Sequence, residues 1–234
     1  MKTNIKRRKG FTLVELLVVI VIIAALASIA TPAAFRALKR ADATTATSNA
    51  KEIYKFLFLF DEEFQSFPDS TTAETVRDAT DTSLPLEGDT SNDYLRQLIA
   101  YTPDLSEKIF YVKTPYTAKP DGVVTNSEAL KAGECGFGYI MDQDTAQGVS
   151  GRAGRPVLVA PLLNASTDWT FDRDPFDGKA IVLRLDNSAE SLIIRERDNK
   201  VGVGNGKTLE ETGPESVWGD EFTPTMKAPQ RRGN

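Results

Sequence analysis

Glu15 is the side chain whose surroundings ask for a chemical explanation. It stands in a run from Phe11 to Ala30 in which only Thr12, Glu15 and Ser28 are not apolar. A carboxylate placed in hydrocarbon costs roughly 2.5–3.5 kcal/mol, so a chain that keeps one there is using it. The remaining chemistry is sparse. There is no histidine, which removes Ser-His-Asp and Cys-His catalysis and imidazole metal sites together. The lone cysteine, Cys135, leaves no internal disulfide and no cysteine zinc cluster. Ser48-Asn49-Ala50-Lys51 has the Ser-x-x-Lys spacing of acyl-transfer enzymes but lacks the companion Lys-Thr-Gly. Gly202–Thr208 has the composition of a phosphate loop without its spacing, and reads as a glycine-rich turn. Asp172, Asp174 and Asp177, followed by Gly178, are the best candidates for a hard cation such as calcium. Their spacing is one residue longer than an Asp-x-Asp-x-Asp-Gly loop, and Pro175 interrupts it; a solvated acidic turn is the competing reading.

The element that positions Glu15 follows from length. Twenty residues from Phe11 to Ala30 make a helix of about 30 Å, the thickness of a bilayer's hydrocarbon. The segment is rich in Val and Ile, but in lipid a single stretch can satisfy its own backbone only as a helix. Lys2, Lys6, Arg7, Arg8 and Lys9 precede it and should stay in the cytoplasm, which places the rest of the chain across the membrane. Arg36, Lys39 and Arg40 on the far side weaken that bias without reversing it. Beyond Arg40, 20 basic residues face 32 acidic ones, a balance of −12. Such a body repels phosphate backbones, so nucleic acid is not an expected partner.

Three readings are open for this segment. It could be a secretory signal cut after Ala25-Leu26-Ala27 or Ser28-Ile29-Ala30, an uncleaved anchor, or a precursor cut before the apolar stretch. Only the third gives Glu15 a task. A cut between Gly10 and Phe11 would create a positive amine on Phe11, with Glu15 four residues on. Amine and carboxylate could then neutralise each other within one helix or between adjacent subunits.

Lys9-Gly10-Phe11-Thr12-Leu13-Val14-Glu15-Leu16 closely resembles the prepilin signature of type IV pilins and type II secretion pseudopilins. The resemblance covers about the first 30 residues. It implies a structural subunit rather than an enzyme: a prepilin peptidase cuts after Gly10 and methylates the Phe11 amine, and Glu15 guides docking into a helical filament. Pro32 resembles the pilin proline at which the helix bends or unwinds in filaments; it also removes the hydrogen bond to the Ser28 carbonyl. The implied partners are the peptidase, other copies of the chain, minor pilins or pseudopilins and an inner-membrane assembly platform. The implied location is a bacterial inner membrane, single-pass with the amino terminus cytoplasmic, and then a periplasmic or cell-surface filament. Asp174-Pro175-Phe176-Asp177-Gly178 loosely resembles the Asp-Pro-Trp-Gly element of calcium-binding pseudopilins. Many pilins close their carboxy-terminal region with a disulfide, which Cys135 alone cannot do, and this tilts the resemblance toward the secretion-type subunit.

The expected architecture is α+β and pilin-like: a long amino-terminal helix, half membrane and half soluble, packed on a carboxy-terminal antiparallel sheet. The divisions are a leader at 1–10, a membrane or filament-core helix at 11–31, its soluble half at 32–65, an acidic loop region with a short helix at 66–106, a sheet domain at 107–211 and an irregular tail at 212–234. Ile53, Phe56, Leu57, Phe60 and Phe64 recur at helical spacing, and Phe58 and Leu59 broaden that face toward a sheet. Sixteen of the 25 residues from Asp69 to Asp93 are Ser, Thr, Asp or Glu, a solvated loop that by resemblance faces solvent or partners; Asn92–Tyr101 reads as the short helix. Strands are expected at Lys108–Lys113, Gly136–Met141, Pro156–Leu162, Ala180–Leu185 (half-buried) and Ser191–Glu196, the last two joined by a turn at Asp186-Asn187-Ser188. Trp218 and Phe222 are expected to anchor the tail. A calcium titration monitored by thermal melting tests the Asp172, Asp174, Asp177 set: an unchanged melting temperature at millimolar calcium is the outcome for a solvated turn, and a clear rise is the outcome for a binding loop.

Overall fold

The computed structural model describes residues 11–166 and 168–233. The leader at 1–10, with the Gly10 side of the expected cut, lies outside the described residues. The chain divides into two units, one ending at Leu38 and one beginning at Lys39. Helix α1 (Leu13–Phe64) is 52 residues long and supplies both. In the first unit every residue from Phe11 to Leu38 is exposed, and α1 passes through Pro32 without a break in the helix.

In the second unit α1 buries a stripe of Ala43, Ala46, Ala50, Ile53, Leu57 and Phe60, spaced three and four apart so that they share one face. The small alanines give way to large side chains along the stripe, and Gln65, at φ 58°, ends the helix with its N–H on the Asp61 carbonyl, 2.8 Å. Phe58 and Leu59 do not extend the buried face as expected. They are 40% and 46% exposed because they project from the side of α1 opposite the stripe.

Two further helices occupy the acidic region. Helix α2 (Thr72–Thr80) is half-exposed, whereas α3 (Ser91–Tyr101) is buried from Ser91 to Ala100. The solvent-facing role expected for the whole 69–93 stretch therefore fails at Asp69, Thr72 and Val76, which are buried, and again where α3 begins. Thr90 and Asp93 form a reciprocal capping box at its start. The buried Arg96 is neutralised by Asp93 at 3.0 Å and donates to the Ala129 and Pro85 carbonyls.

The strands β1 (Gly138–Asp142), β2 (Pro156–Ala160), β3 (Leu162–Asn164), β4 (Thr170–Phe171), β5 (Lys179–Arg184), β6 (Ala189–Ile193), β7 (Gly202–Gly204), β8 (Lys207–Thr208) and β9 (Pro224–Lys227) form one antiparallel sheet of order β6-β5-β2-β1-β9 and two small ribbons, β3-β4 and β7-β8. The Asp186–Ser188 turn joins β5 to β6, with Arg184 N on the Ser188 carbonyl. Alternation along the strands sends side chains into two cores. Tyr139, Met141, Leu158, Ile181 and Leu183 pack with Ile53, Phe60, Leu95 and Leu98 on the helical side. Ile140, Val159 and Val182 pack on the other side with Trp169, Phe171, Trp218 and Phe222. β5 is thus covered on both faces, which corrects the half-buried expectation for Ala180–Leu185.

Two more expectations are corrected. Lys108–Lys113 forms no strand: Glu107–Phe110 is a 3-10 turn, and its backbone carbonyls at Lys108 and Tyr111 are taken by the Asn49 amide from α1 rather than by a neighbouring strand. The tail is not irregular throughout, because Pro224–Lys227 pairs along β1 with Met226 opposite Ile140. A four-residue edge strand with one fully apolar residue carries almost no alternation to detect. Asn205-Gly206 makes the β7-β8 turn at φ 50° and 73°, the glycine-rich turn expected there.

Trp218 carries much of the second core. It is fully buried, stacks on Phe222 at 5.0 Å, meets Trp169 edge-on and donates Nε1–H to the Leu209 carbonyl at 2.7 Å. Trp218→Ala is expected to cost about 3–5 kcal/mol in chemical denaturation of the detergent-extracted chain.

Candidate functional site

The amino-terminal unit is built around the first turn of α1. Phe11 and Thr12 precede the helix, and Phe11 is 73% exposed. Thr12 and Glu15 hold each other reciprocally. The Glu15 Oε2 accepts from Thr12 N and from Thr12 Oγ at 2.8 Å each, while Thr12 Oγ accepts from Glu15 N at 3.2 Å. This is a capping box, Thr-x-x-Glu, and it satisfies backbone N–H groups that a helix start would otherwise leave open. Sequence reasoning assigned Glu15 a charge to be neutralised but missed Thr12 as its partner, although the spacing of the two residues is the capping signal itself. The carboxylate thereby has a fixed place at the top of the helix, four residues from Phe11.

Further along, Ser28 Oγ donates to the Ala25 carbonyl and Thr31 Oγ to the Ala27 carbonyl, both at 2.7 Å. Returning hydroxyls to the helix's own backbone leaves Glu15 as the charge on an otherwise apolar surface between Phe11 and Ala30. Pro32 lies inside α1 and cannot donate to Ser28.

The three aspartates proposed for a cation have separate partners. Asp174 pairs with Lys39 at 2.6 Å and Asp177 with Arg40 at 3.5 Å, while Asp172 Oδ1 accepts from the Asp174 backbone N–H. Their oxygens do not converge. Among the described residues the carboxylates that do come together, within 4.8 Å, are Glu107, Asp121 and Glu134. No spacing signal links these three, since they are spread over 28 residues and meet only because the chain folds back on itself. Glu107 accepts from Leu130 N and Gly122 N, and Glu134 from Asp121 N and Lys131 N. All four glutamate oxygens are thus committed to main-chain donors, and the pair clasps the strandless stretch from Gly122 to Lys131. Asp121 is held in the ionised form by Lys131.

Other candidates resolve simply. Cys135 is buried with its sulfur beside Ser91 Oγ and the Phe137 carbonyl, and burial pushes its thiol up to about 11, away from nucleophilic use. Ser48 and Lys51 are both exposed on α1.

Residues 5–31 match the family model described as a prokaryotic N-terminal methylation motif, the prepilin-type signature of type IV pilins and pseudopilins. No curated protein and no solved structure matches the chain.

The clasp has a signed consequence. Burial, first of all, raises the Glu107 and Glu134 carboxyls above the ordinary glutamate value; their backbone donors oppose the rise, and neighbouring acids add to it. A raised native value means that stability is greatest when these groups are protonated and falls as pH climbs through the raised values. Glu107→Gln cannot titrate. The melting temperature of the unsubstituted chain minus that of Glu107→Gln should therefore shrink as pH rises above about 4.5; a gap that widens would show that the backbone donors outweigh burial at Glu107.

Proposed function

From the prepilin-type signature at residues 5–31, we propose that this chain is a prepilin: it is cut between Gly10 and Phe11, methylated on the Phe11 amine and assembled as a structural subunit of a type II secretion pseudopilus or a type IV pilus. The observation that carries the proposal is Glu15, the charge in an apolar helix, fixed four residues from the amine that the cut would create. Within the bilayer each free subunit bears a costly carboxylate. When subunits stack, the Phe11 amine of one copy sits against Glu15 of another, and the pairing removes that cost only in the correct axial register. Assembly is then driven and aligned by the same contact. Thr12 keeps one carboxylate oxygen engaged and so orients the group toward a neighbour.

In this reading α1 up to Leu38 forms the filament core, Pro32 supplies the place where the helix yields under packing, and the acidic domain forms the outer surface. The role needs no catalytic residue and no cofactor. Its partners are a prepilin peptidase, further copies of the chain, minor subunits and an inner-membrane assembly platform. The long apolar helix and the signature fit a single-pass inner-membrane anchor; the five basic residues ahead of it favour a cytoplasmic amino terminus before the subunit enters a periplasmic or surface filament. Between the two machines, the single buried Cys135, with no second cysteine to close the carboxy-terminal region, favours the secretion pseudopilus.

Glu15→Ala separates processing from assembly. The variant should be cleaved like the parent chain and accumulate in the membrane, with filament yield down at least about tenfold. Normal filaments from Glu15→Ala would overturn the role given to the carboxylate.

A further inference from the structure

Arg231 and Arg232 form an isolated cationic spot on an acidic domain. Backbone bonds lock the segment that carries them. Gly133 N donates to the Gln230 carbonyl at 2.7 Å, and Arg232 N donates to the Tyr116 carbonyl at 3.0 Å. The Arg231 guanidinium lies 4.7 Å over the Tyr116 ring and donates to the Leu162 and Leu163 carbonyls, which holds it in place with donors to spare. The two arginines, with Pro115, Tyr116 and Gly233, line an open hollow of about 770 Å³. The Tyr116 hydroxyl is buried with no hydrogen-bond partner among the described residues. Asp172 lies near enough to act on that hydroxyl, but no carboxylate among the described residues reaches ion-pair distance of either arginine.

Helix α2 has the opposite imbalance. Glu74 and Asp78 are exposed one turn apart on the same face, and Asp81 closes the helix at φ 49°. Like charges at i and i+4 repel, and acids near a helix carboxy terminus oppose its dipole. The sole cation of the helix, Arg77, is turned to Glu87 at 3.2 Å. Among the described residues no cation pairs with Glu74, Asp78 or Asp81.

The two charged surfaces are held apart within one copy by α3. Its amino end holds the carboxy-terminal segment, through Ser91 N on the Ala228 carbonyl and Gln230 N on Asn92 Oδ1. Its later half holds α2, through Thr72 Oγ on Gln97 Oε1 and the hollow shared by Thr80, Ile99 and Ala100. Complementary patches at different places on one chain pair head-to-tail between copies, and such contacts propagate instead of closing.

We propose that the Arg231–Arg232 hollow receives the acidic face of α2, Glu74, Asp78 and Asp81, from a second copy of this chain. The inference rests on the filament reading above and adds to it an outer contact between acidic domains, independent of Glu15. Like charge between domains of this composition would otherwise oppose packing, and this contact supplies the matching sign locally.

Two experiments on filaments of the full chain test it. In Asp78→Cys/Arg232→Cys, mild oxidation should give disulfide-linked dimers and longer ladders, with none from either single variant; the native Cys135 is fully buried and silent. Arg231→Glu/Arg232→Glu should lower filament yield about tenfold at low salt and flatten or reverse its fall with salt, because salt then screens a repulsion instead of an attraction, and adding Glu74→Lys, Asp78→Lys and Asp81→Lys to the same chain should restore both the yield and its fall with salt. Arg231 also bonds the Leu162 and Leu163 carbonyls, so Arg232→Glu alone, whose side chain is exposed and makes neither bond, is the variant whose unchanged melting temperature separates lost assembly from lost folding. Filaments that form without cross-links and ignore the reversal overturn the contact while leaving the filament reading intact. A loss that the α2 changes do not restore assigns the hollow to another occupant and also overturns it. Absence of filaments from the unsubstituted chain removes the filament reading and this interface together.

Discussion

A carboxylate set in hydrocarbon has to be neutralised, and the amino-terminal unit is organised by that requirement. The run from Phe11 to Ala30 is long enough to span a bilayer and carries one charge. Thr12 answers part of the demand by donating both its N–H and its hydroxyl to Glu15, but hydrogen bonds to a neutral partner do not cancel charge. What remains is a demand for a cation at a defined height along the helix. In the proposed processing, the new amine four residues earlier would meet it, between subunits as readily as within one. The repeat of the proposed filament would then follow from a pairing of charges rather than from shape alone.

The acidic domain obeys a different constraint. Its sheet has helices on one face and the Trp169, Trp218 and Phe222 layer on the other, so neither face of β5 or β2 is left for solvent. The charged residues are displaced to the periphery, where α2 and the carboxy-terminal segment carry opposite signs at different ends of α3. Surface ion pairs within the copy, such as Lys39 with Asp174 and Arg40 with Asp177, are of the kind that contributes little to stability.

What was legible in the sequence depended on whether the signal was local. The long apolar helix, the Glu15 anomaly and four of the strands announce themselves within a window of a few residues, and the α+β arrangement follows from them. Long-range satisfaction was not legible. Lys108–Lys113 has the composition of a strand, yet Asn49, some 60 residues earlier, takes its carbonyls. Val182 alternates as if half-exposed until residues beyond 200 cover it. β9 is too short to show a pattern, and the first residues of α3 read as the end of a solvated loop although Ser91 and Asn92 find buried partners in the Phe137 and Leu130 carbonyls. The Glu107–Glu134 clasp was invisible for the same reason, whereas the Thr12–Glu15 box was visible and overlooked.

The most direct test is the mass of the mature amino terminus isolated from native membranes. The account predicts a first peptide that begins at Phe11 and carries a methyl group on its amine. A chain that begins near Ser28 or Thr31, the product of an ordinary secretory signal, would contradict it, because Glu15 would then be discarded with the segment it was meant to align.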